Sequence, residues 1–297
     1  MKCGLVARGE DRGLGTISRE FARHIQPDKT LIVQPDSARE AGLVLHSEWF
    51  AEDVMHTTWR DKLNEKQCRE FLSGLDVVYS AETFYDWRFC DWAREMGVRT
   101  VCHSMAEYFK HGAHVNNKFP KDLPKADVWW APTTWRLDHL PDHEVIPVPV
   151  ALDHFPPRPE YDGPMRTLHV AGSRAASDRN GTQIFCEALR HLKGEHRIIL
   201  RAQGVSYWGQ LQRASRRVSI ECHAHDLPNY WSLYDDADVL AFPRRYGGLS
   251  LVAQEAMAAG LALVMPDISP NDEWPILGVK SEMVNHITTS AGSIPIA

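Results

Sequence analysis

Residues 238–260 decide the fold predicted for this chain: Asp238-Val-Leu-Ala-Phe-Pro-Arg-Arg-Tyr-Gly-Gly-Leu-Ser-Leu-Val-Ala-Gln-Glu-Ala-Met-Ala-Ala-Gly260. The opening Val-Leu-Ala-Phe is an apolar run that predicts the end of a buried strand. A loop with a Gly-Gly pair follows, and apolar residues then recur at helical spacing until Gly260 ends the helix. A strand, a glycine loop and a helix in this order point backbone N–H groups at an anion.

Three residues of this stretch indicate which kind of ligand would carry the anion. Gly247 and Gly248 would let a diphosphate approach the backbone closely, because they carry no Cβ. Glu255, in the second turn of the helix, would repel phosphate but can accept hydrogen bonds from a ribose diol. An ordinary strand-to-helix turn of an α/β sheet is the alternative interpretation.

The whole string resembles the nucleotide-sugar loop of retaining glycosyltransferases of the GT-B architecture, similar to glycosyltransferase family 4. That pattern runs roughly E-G-F-G-x-x-x-x-E-A-M-A-x-G, and residues 247–250 and 255–260 take its beginning and end. Residues 244–249 look most like a branch found in bacteriophages and some bacteria. One position departs from the pattern: its first glutamate, which contacts the donor sugar in the family, is Gly247 here.

Composition sets the broad class of protein. With 297 residues, 43% hydrophobic and 24% charged, the chain suits two soluble globular domains. A net charge of −6 disfavours a general nucleic-acid coat protein but leaves room for a local basic patch. The six cysteines form no C-x-x-C pair, and neither a signal peptide nor a membrane segment is evident. We therefore expect a cytoplasmic protein, in the host cytoplasm if it is viral.

Alternating strand and helix patterns predict an α/β fold with doubly wound parallel sheets. With the resemblance, this implies a GT-B fold: two Rossmann-like domains facing a cleft. We expect an acceptor-side domain over 1–150, a proline-rich linker over 151–165, and a nucleotide-sugar domain over 166–297. The helices that usually end GT-B chains are not obvious after Pro270, so a truncated second domain is one interpretation.

Some local predictions bear on the sites described below. We expect Thr16 to cap a helix over 17–24, a strand near 42–45, and a helix over 85–96. We expect only a short tail after residue 270.

The loop after the first strand of the second domain carries Arg174 and Arg179, which match the diphosphate clamp of the family. Two guanidinium groups suit a pyrophosphate by charge and by forked geometry. Solvated surface arginines are the alternative, chiefly for Arg174. The resemblance assigns the donor to the following residues: Gly13, Gly15, Arg174, Arg179, Arg245, Gly247, Gly248, Leu249, Ser250 and Glu255.

The first domain supplies candidates for the acceptor side. Glu82, His103 and Glu107 lie at or just beyond predicted strand ends, where ligands bind in such sheets. We predict that His103 and Glu107 organise the acceptor hydroxyl as catalytic residues, with packed structural roles an equal alternative. Arg12, in the first glycine loop, is an acceptor-side candidate for which a plain tight turn is an equal alternative.

No metal site and no cofactor are expected. The histidines are dispersed and no D-x-D string lies at a strand end. The resemblance implies that the diphosphate leaves without a metal ion and that the acceptor attacks from the front face, with retention.

The segment 101–125 is locally basic and aromatic. Its lysines include Lys110, Lys118, Lys121 and Lys125. Basic residues among aromatics suit a nucleic-acid backbone and stacked bases, although a solvated loop is favoured on composition alone. Together with the phage-like string, this segment motivates a hypothesis for the acceptor: a flipped hydroxymethylpyrimidine, such as hydroxymethylcytosine, in viral double-stranded DNA.

The sequence therefore predicts a glycosyltransferase with a nucleotide-diphosphate sugar such as UDP-glucose as co-substrate. A virion protein or another glycan is the alternative acceptor. A non-catalytic sugar-nucleotide-binding or DNA-binding module is the alternative function, which the loss of the first glutamate permits.

Overall fold

The computed structural model describes residues 1–40, 42–50, 53–60, 62–86, 88–105, 125–135, 137, 140, 142–173, 178–203, 218–225 and 227–281, and the backbone of 285–289 and 292–296. The chain divides into two compact units, which consist mainly of Met1–Pro149 and Val150–Ile287.

The first unit is built on a seven-stranded parallel sheet in the order β3-β2-β1-β4-β5-β6-β7. Its strands are Cys3–Ala7 (β1), Lys29–Pro35 (β2), Val54–Trp59 (β3), Val77–Ser80 (β4), Arg99–His103 (β5), Val128–Ala131 (β6) and His143–Val145 (β7). Its described helices are Gly13–Ile25 (α1), Asp36–Glu40 (α2), Glu65–Leu72 (α3) and Phe89–Glu95 (α4). The strands adjoining the centre are apolar because both faces of the sheet are covered.

The second unit repeats this plan with a six-stranded parallel sheet in the order β10-β9-β8-β11-β12-β13. Its strands are Met165–Ser173 (β8), His196–Gln203 (β9), Ser219–His223 (β10), Val239–Ala241 (β11), Ala262–Pro266 (β12) and Leu277–Val279 (β13). Its described helices are Thr182–Ala188 (α5) and Leu251–Ala258 (α6). Each face of the sheet carries its own core, with Ile199 on one face and Ile198 and Leu200 on the other. Both units have the strand order of a doubly wound sheet, which confirms that prediction.

The predicted helix over 85–96 was too long. Tyr85 has a φ of 63°, in the left-handed region that a right-handed helix cannot include. The carboxylate of Asp86 accepts a hydrogen bond from the Leu63 amide (2.9 Å) and pairs with Arg88 (2.6 Å). These contacts hold an irregular turn in place, and helix α4 begins only at Phe89.

Three other local predictions were also wrong. Thr16 does not cap α1, because its amide already donates to the Arg12 carbonyl at 2.9 Å, inside the first helical turn. The strand expected near 42–45 is reduced to a single antiparallel bridge between Leu45 and Glu10. The region after Pro270 is more than a tail, because it contains β13 and a two-stranded hairpin, Asn285–Thr289 (β14) and Gly292–Ile296 (β15).

Each sheet encloses one fully buried histidine. In the second unit, His169 donates from Nδ1 to the Ala241 carbonyl at 2.9 Å, and its Nε2 accepts from the Thr182 hydroxyl at 2.9 Å. Burial disfavours the charged ring and lowers the pKa of His169 to about 4. In the first unit, burial likewise lowers the pKa of His103 to about 4, although nearby carbonyls partly oppose the shift. Both rings are therefore neutral in the folded protein at neutral pH.

These histidines predict a pH-dependent loss of stability. The unfolded chain takes up protons on them as the pH falls through 6.5, whereas the folded chain does not until about pH 4. The free energy of unfolding should therefore fall over this window, by about 3 kcal/mol for each histidine. Urea unfolding at pH 7, 6, 5 and 4.5 measures the slope for the wild type and for His169→Gln. We expect a shallower slope for the variant, and parallel slopes would contradict the assignment.

Candidate functional site

The switch point of the second sheet lies between β8 and β11, where the strand order reverses on either side of β8. Ligands of doubly wound sheets bind at the carboxyl ends of the strands beside such a point. The loops that leave β8 and β11, together with the helix after β11, carry all the predicted donor residues except Gly13 and Gly15. The loop after β11 leads directly into α6, whose first turn is capped by the Ser250 hydroxyl accepting from the Ala253 amide at 3.3 Å.

Two arginines converge on the backbone of Gly247. This residue has a φ of 131°, a conformation that favours glycine. A Cβ placed there would overlap the Nη2 atoms of both Arg244 and Arg179. The lack of a side chain at Gly247 thus allows one guanidinium from the loop after β11 and one from the loop after β8 to share the same small volume.

Backbone contacts hold these two loops together. The Arg245 amide donates to the Arg179 carbonyl at 2.9 Å, and a Cβ on Gly181 would overlap the Pro243 carbonyl oxygen. The Arg179 guanidinium also lies 5.6 Å from the centroid of the Tyr246 ring, in cation–π geometry. These contacts fix the position of the Arg179 side chain relative to Gly247.

The N-terminus of α5 is already occupied by an acidic side chain of the protein. The Asp178 carboxylate accepts from the Thr182 amide at 2.8 Å and from the Gln183 amide at 3.0 Å. A second anion would be repelled there by the carboxylate.

The sequence prediction missed Arg244, which is 3% exposed and whose Nη2 lies at Gly247. It named Arg245 instead, which is half-buried and contributes its amide to the loop-to-loop contact. The Arg-Arg pair itself was the available signal. Which of two adjacent side chains turns toward Gly247 depends on the conformation of the loop, and the sequence alone did not determine it.

Glu255 is 1% exposed, and its carboxylate is engaged by two tyrosines. The hydroxyls of Tyr230 and Tyr234 both donate to Oε2, each at 2.6 Å. The tyrosines belong to a 3₁₀ helix, Tyr230–Tyr234, that precedes β11. The ribose role predicted for Glu255 stays a prediction, and it has to accommodate these two hydroxyl groups.

In the first unit, Glu82 belongs to a buried charged cluster at the ends of β1 and β4. Arg8 Nη2 lies 2.8 Å from Glu10 Oε1, and Arg8 Nη1 lies 3.8 Å from Glu82 Oε2. The Tyr85 hydroxyl donates to the same Glu82 oxygen at 2.5 Å. Glu10 and Glu82 are 1% and 2% exposed, so this cluster ties the first glycine loop to the loop after β4.

The other described candidates of the first unit differ in their surroundings. Arg12 and Gly13 are exposed, whereas Gly15 is buried against the Glu10 carbonyl, which a Cβ would overlap. His103 is 0% exposed and lies 2.8 Å from the Tyr79 hydroxyl. This placement favours the packed role that the sequence left open for His103. Four predicted residues of this unit lie outside the described part of the chain, as does one of the second unit: Glu107, Lys110, Lys118, Lys121 and Arg174.

No group of three or more His, Cys, Asp or Glu side chains among the described residues is arranged to hold a metal ion. No helix in the described part of the chain is long and apolar enough to cross a membrane.

The second unit is similar to one known protein family. Residues 166–286 match a family model described as Glycosyl transferases group 1. The matched residues make up most of the second unit. A search of curated protein sequences finds no significant match to this glycosyltransferase-like chain.

Solved structures extend the likeness in fold to 90–92% of the chain. The lipopolysaccharide outer core galactosyltransferase WaaB, in its apo form, matches 92% of this chain and 83% of its own, with a TM-score of 0.62 and 15% identity. HepE from Anabaena, in complex with UDP-glucose, matches 92% of this chain and 82% of its own, with a TM-score of 0.63 and 14% identity. Sucrose-phosphate synthase from Thermosynechococcus elongatus matches 90% of this chain and 82% of its own, with a TM-score of 0.59 and 14% identity. The predicted fold, two Rossmann-like domains of the GT-B glycosyltransferase type, is confirmed.

The two arginines at Gly247 predict that adding one methyl group there lowers the stability of the fold. In Gly247→Ala the new Cβ must displace two guanidinium groups and strain the backbone, so we expect a loss of roughly 2–4 kcal/mol in the free energy of unfolding. Gly74→Ala is the matched control, because Gly74 also has a positive φ but a Cβ there meets nothing within 4 Å. We expect a smaller loss of about 1 kcal/mol for the control. Equal losses in urea titrations of the two variants would argue against the convergence of the arginines.

Proposed function

We propose that this chain is a glycosyltransferase whose nucleotide-diphosphate sugar binds at the carboxyl edge of the second sheet. The observation that carries the proposal is the convergence of Arg179 and Arg244 on Gly247, beside the start of α6. Guanidinium groups bind phosphate oxygens in a forked geometry, and the helix N-terminus adds backbone N–H donors. The group 1 glycosyltransferase match over the same residues supports this assignment.

The proposed chemistry follows from where negative charge develops. The bond between the anomeric carbon and the diphosphate oxygen breaks, and the electron pair leaves with the diphosphate. Arg179, Arg244 and the backbone N–H groups at the start of α6 stabilise this charge as it develops. The acceptor oxygen then bonds to the anomeric carbon from the same face, and its proton passes to the departing diphosphate, so the configuration is retained.

We also propose that turnover requires no metal ion. Two guanidinium groups at the diphosphate position would supply the positive charge that a divalent cation supplies elsewhere. UDP-glucose is the first donor to test, because HepE was solved with it. The sugar itself is open, because Gly247 replaces the glutamate that contacts the donor sugar in the family this chain resembles.

Arg179→Ala tests the diphosphate assignment. Removing one charge-assisted contact, worth about 1.5–3 kcal/mol, should weaken nucleoside diphosphate binding about ten-fold or more and slow turnover. Arg190→Ala is the control, because Arg190 is exposed in the same unit and pairs only at the surface with Glu187. Calorimetry with UDP and GDP measures binding, and a panel of UDP-sugars and GDP-sugars, with and without EDTA, measures hydrolysis and transfer.

Several outcomes of that experiment are decisive. Unchanged affinity in Arg179→Ala would refute the clamp. Nucleotide binding without hydrolysis or transfer from any donor would favour the non-catalytic module instead. Loss of turnover on adding EDTA would refute metal independence.

For the acceptor, we propose a hydroxymethylpyrimidine in phage DNA. The proposal is supported by the phage-like string 244–249 and by the basic, aromatic composition of 101–125. A virion protein or a glycan is the alternative acceptor, and neither would be expected to show the salt dependence of a phosphate backbone.

Transfer to hydroxymethylated DNA is the expected result. Each neutralised phosphate should lower log affinity by about 0.9 per log unit of salt, so replacing Lys118, Lys121 and Lys125 together should flatten this slope. Donor hydrolysis should remain near the wild-type rate in that triple variant. Digestion to nucleosides and mass spectrometry detect the product, and no hexose-shifted nucleoside with any donor would remove DNA as the acceptor.

A further inference from the structure

A small pocket lies toward the carboxyl end of the edge strand β3, within the first unit. Its volume is about 190 Å³. Pockets for drug-sized ligands have roughly 300–1,000 Å³, so this one suits a ligand with a single ring. The described residues that line it include no acidic residue, lysine or arginine, and most of them carry an amide or a hydroxyl group: Gln34, Leu45, His56, Thr57, Thr58 and Gln67.

Hydrogen bonds within the unit hold part of this polar lining in place. The hydroxyl of Thr57, a residue that is 4% exposed, donates to Gln67 Oε1 at 3.0 Å. That bond fixes the orientation of the Gln67 amide and leaves its Nε2 as a donor for another group. The Ser47 hydroxyl lies 3.1 Å from His56 Nε2, which orients the imidazole in the same way. These side chains are positioned before any ligand binds, so less conformational entropy is lost on binding.

Two other polar groups of the pocket have no partner within the described part of the chain. Gln34 and Thr58 are register partners on neighbouring strands, so their side chains lie side by side on one face of the sheet. Neither the Gln34 amide nor the Thr58 hydroxyl hydrogen-bonds to a described residue. Leu45 supplies an apolar wall, and its bridge to Glu10 places the pocket beside the first glycine loop. The open amide and hydroxyl are therefore available to a ligand.

The chemistry of the lining favours a neutral ligand that is rich in hydroxyl groups. A sugar hydroxyl both donates and accepts, and a glutamine amide offers a donor and an acceptor in one plane. A phosphate or carboxylate ligand would need guanidinium or ammonium partners, which the six lining residues lack. A nucleobase would depend on stacking between aromatic or apolar side chains, whereas four of the six are amides or hydroxyls.

We propose that this pocket binds one neutral saccharide unit, and that the unit belongs to the acceptor substrate. The saccharide binding stands on the pocket itself, whereas the acceptor role rests on the proposed glycosyltransferase function. Two sources supply such a unit: a glycan, or a sugar that is already attached to a DNA base. Both present the same set of neutral hydroxyl groups, and the inference assigns Gln34, Thr58 and Gln67 as the residues that bind them.

Saturation-transfer difference NMR on the full chain tests the pocket. The probes are the methyl glycosides of glucose, galactose and mannose, in the presence of UDP so that the donor site is filled. We expect at least one glycoside to bind, and to bind about three- to ten-fold more weakly to Gln34→Leu and to Thr58→Val, because each variant loses a neutral hydrogen-bonding group. Gln183→Leu is the matched control, since it makes the same change at an exposed residue of the second unit. Circular dichroism confirms the fold of each variant.

Three other outcomes of the NMR experiment have a defined meaning. If no glycoside binds, or if binding is equal in the wild type and in both pocket variants, the saccharide pocket is refuted. If 5-hydroxymethyl-2′-deoxycytidine binds in place of the glycosides and Gln34→Leu weakens it, the pocket holds a nucleobase and the inference is overturned. If the glycosides bind as expected but UDP does not, the proposed donor site is refuted and the saccharide pocket stands.

Transfer assays with two acceptors identify the source of the saccharide. One acceptor is a disaccharide of the sugar that binds, and the other is DNA that contains glucosylated hydroxymethylcytosine. For one of them we expect the KM in Gln34→Leu to rise about three- to ten-fold while kcat stays near the wild-type value, because the lost contact binds substrate away from the reacting atoms. Transfer to neither acceptor, or an unchanged KM for both, overturns the acceptor role.

Discussion

The absence of a side chain at Gly247 is the constraint on which the candidate site depends. It allows guanidinium groups from two different loops to approach the same backbone atoms. Gly181 makes a second close approach, against the Pro243 carbonyl, and so brings the loops after β8 and β11 together. His169 connects the end of β11 to the start of α5, because its ring hydrogen-bonds to both the Ala241 carbonyl and the Thr182 hydroxyl. Backbone contacts and the neutral His169 imidazole thus hold in place the two loops that carry Arg179 and Arg244.

The sequence predicted the fold, and the strand, loop and helix within residues 238–260, because both depend on local patterns. Alternating apolar runs and turns that contain glycine can be predicted from residues close together in the sequence. Residues 238–260 contain a strand, a loop and a helix in one continuous segment. The Tyr230 contact with Glu255 joins residues that are 25 positions apart, and no local pattern connects them. The left-handed Tyr85 was missed for a related reason: the surrounding tertiary contacts of Asp86 maintain a conformation that aromatic residues rarely adopt.

In the first unit, the position of a residue at the end of a strand was not enough to predict its role in a site. Glu82 follows β4 as predicted, yet it lies inside a cluster with Arg8 and Tyr85. A buried charge that loses its partner is costly, so such a cluster resists rearrangement and fixes the loops that carry it. The same reasoning applies to His103, whose strand-end position was correct and whose burial was not readable from the sequence.

The Asp178 cap bears on how glycine loops in related chains are interpreted. Asp178 precedes Gly181 by three residues, and its carboxylate takes the place that a phosphate would take at the start of α5. An acidic residue at this spacing therefore predicts a helix whose first amides are already paired with a carboxylate of the chain. Within one chain, this distinction separates two glycine turns: the turn before α5 is capped by the Asp178 carboxylate, and the turn before α6 is capped by the neutral Ser250 hydroxyl.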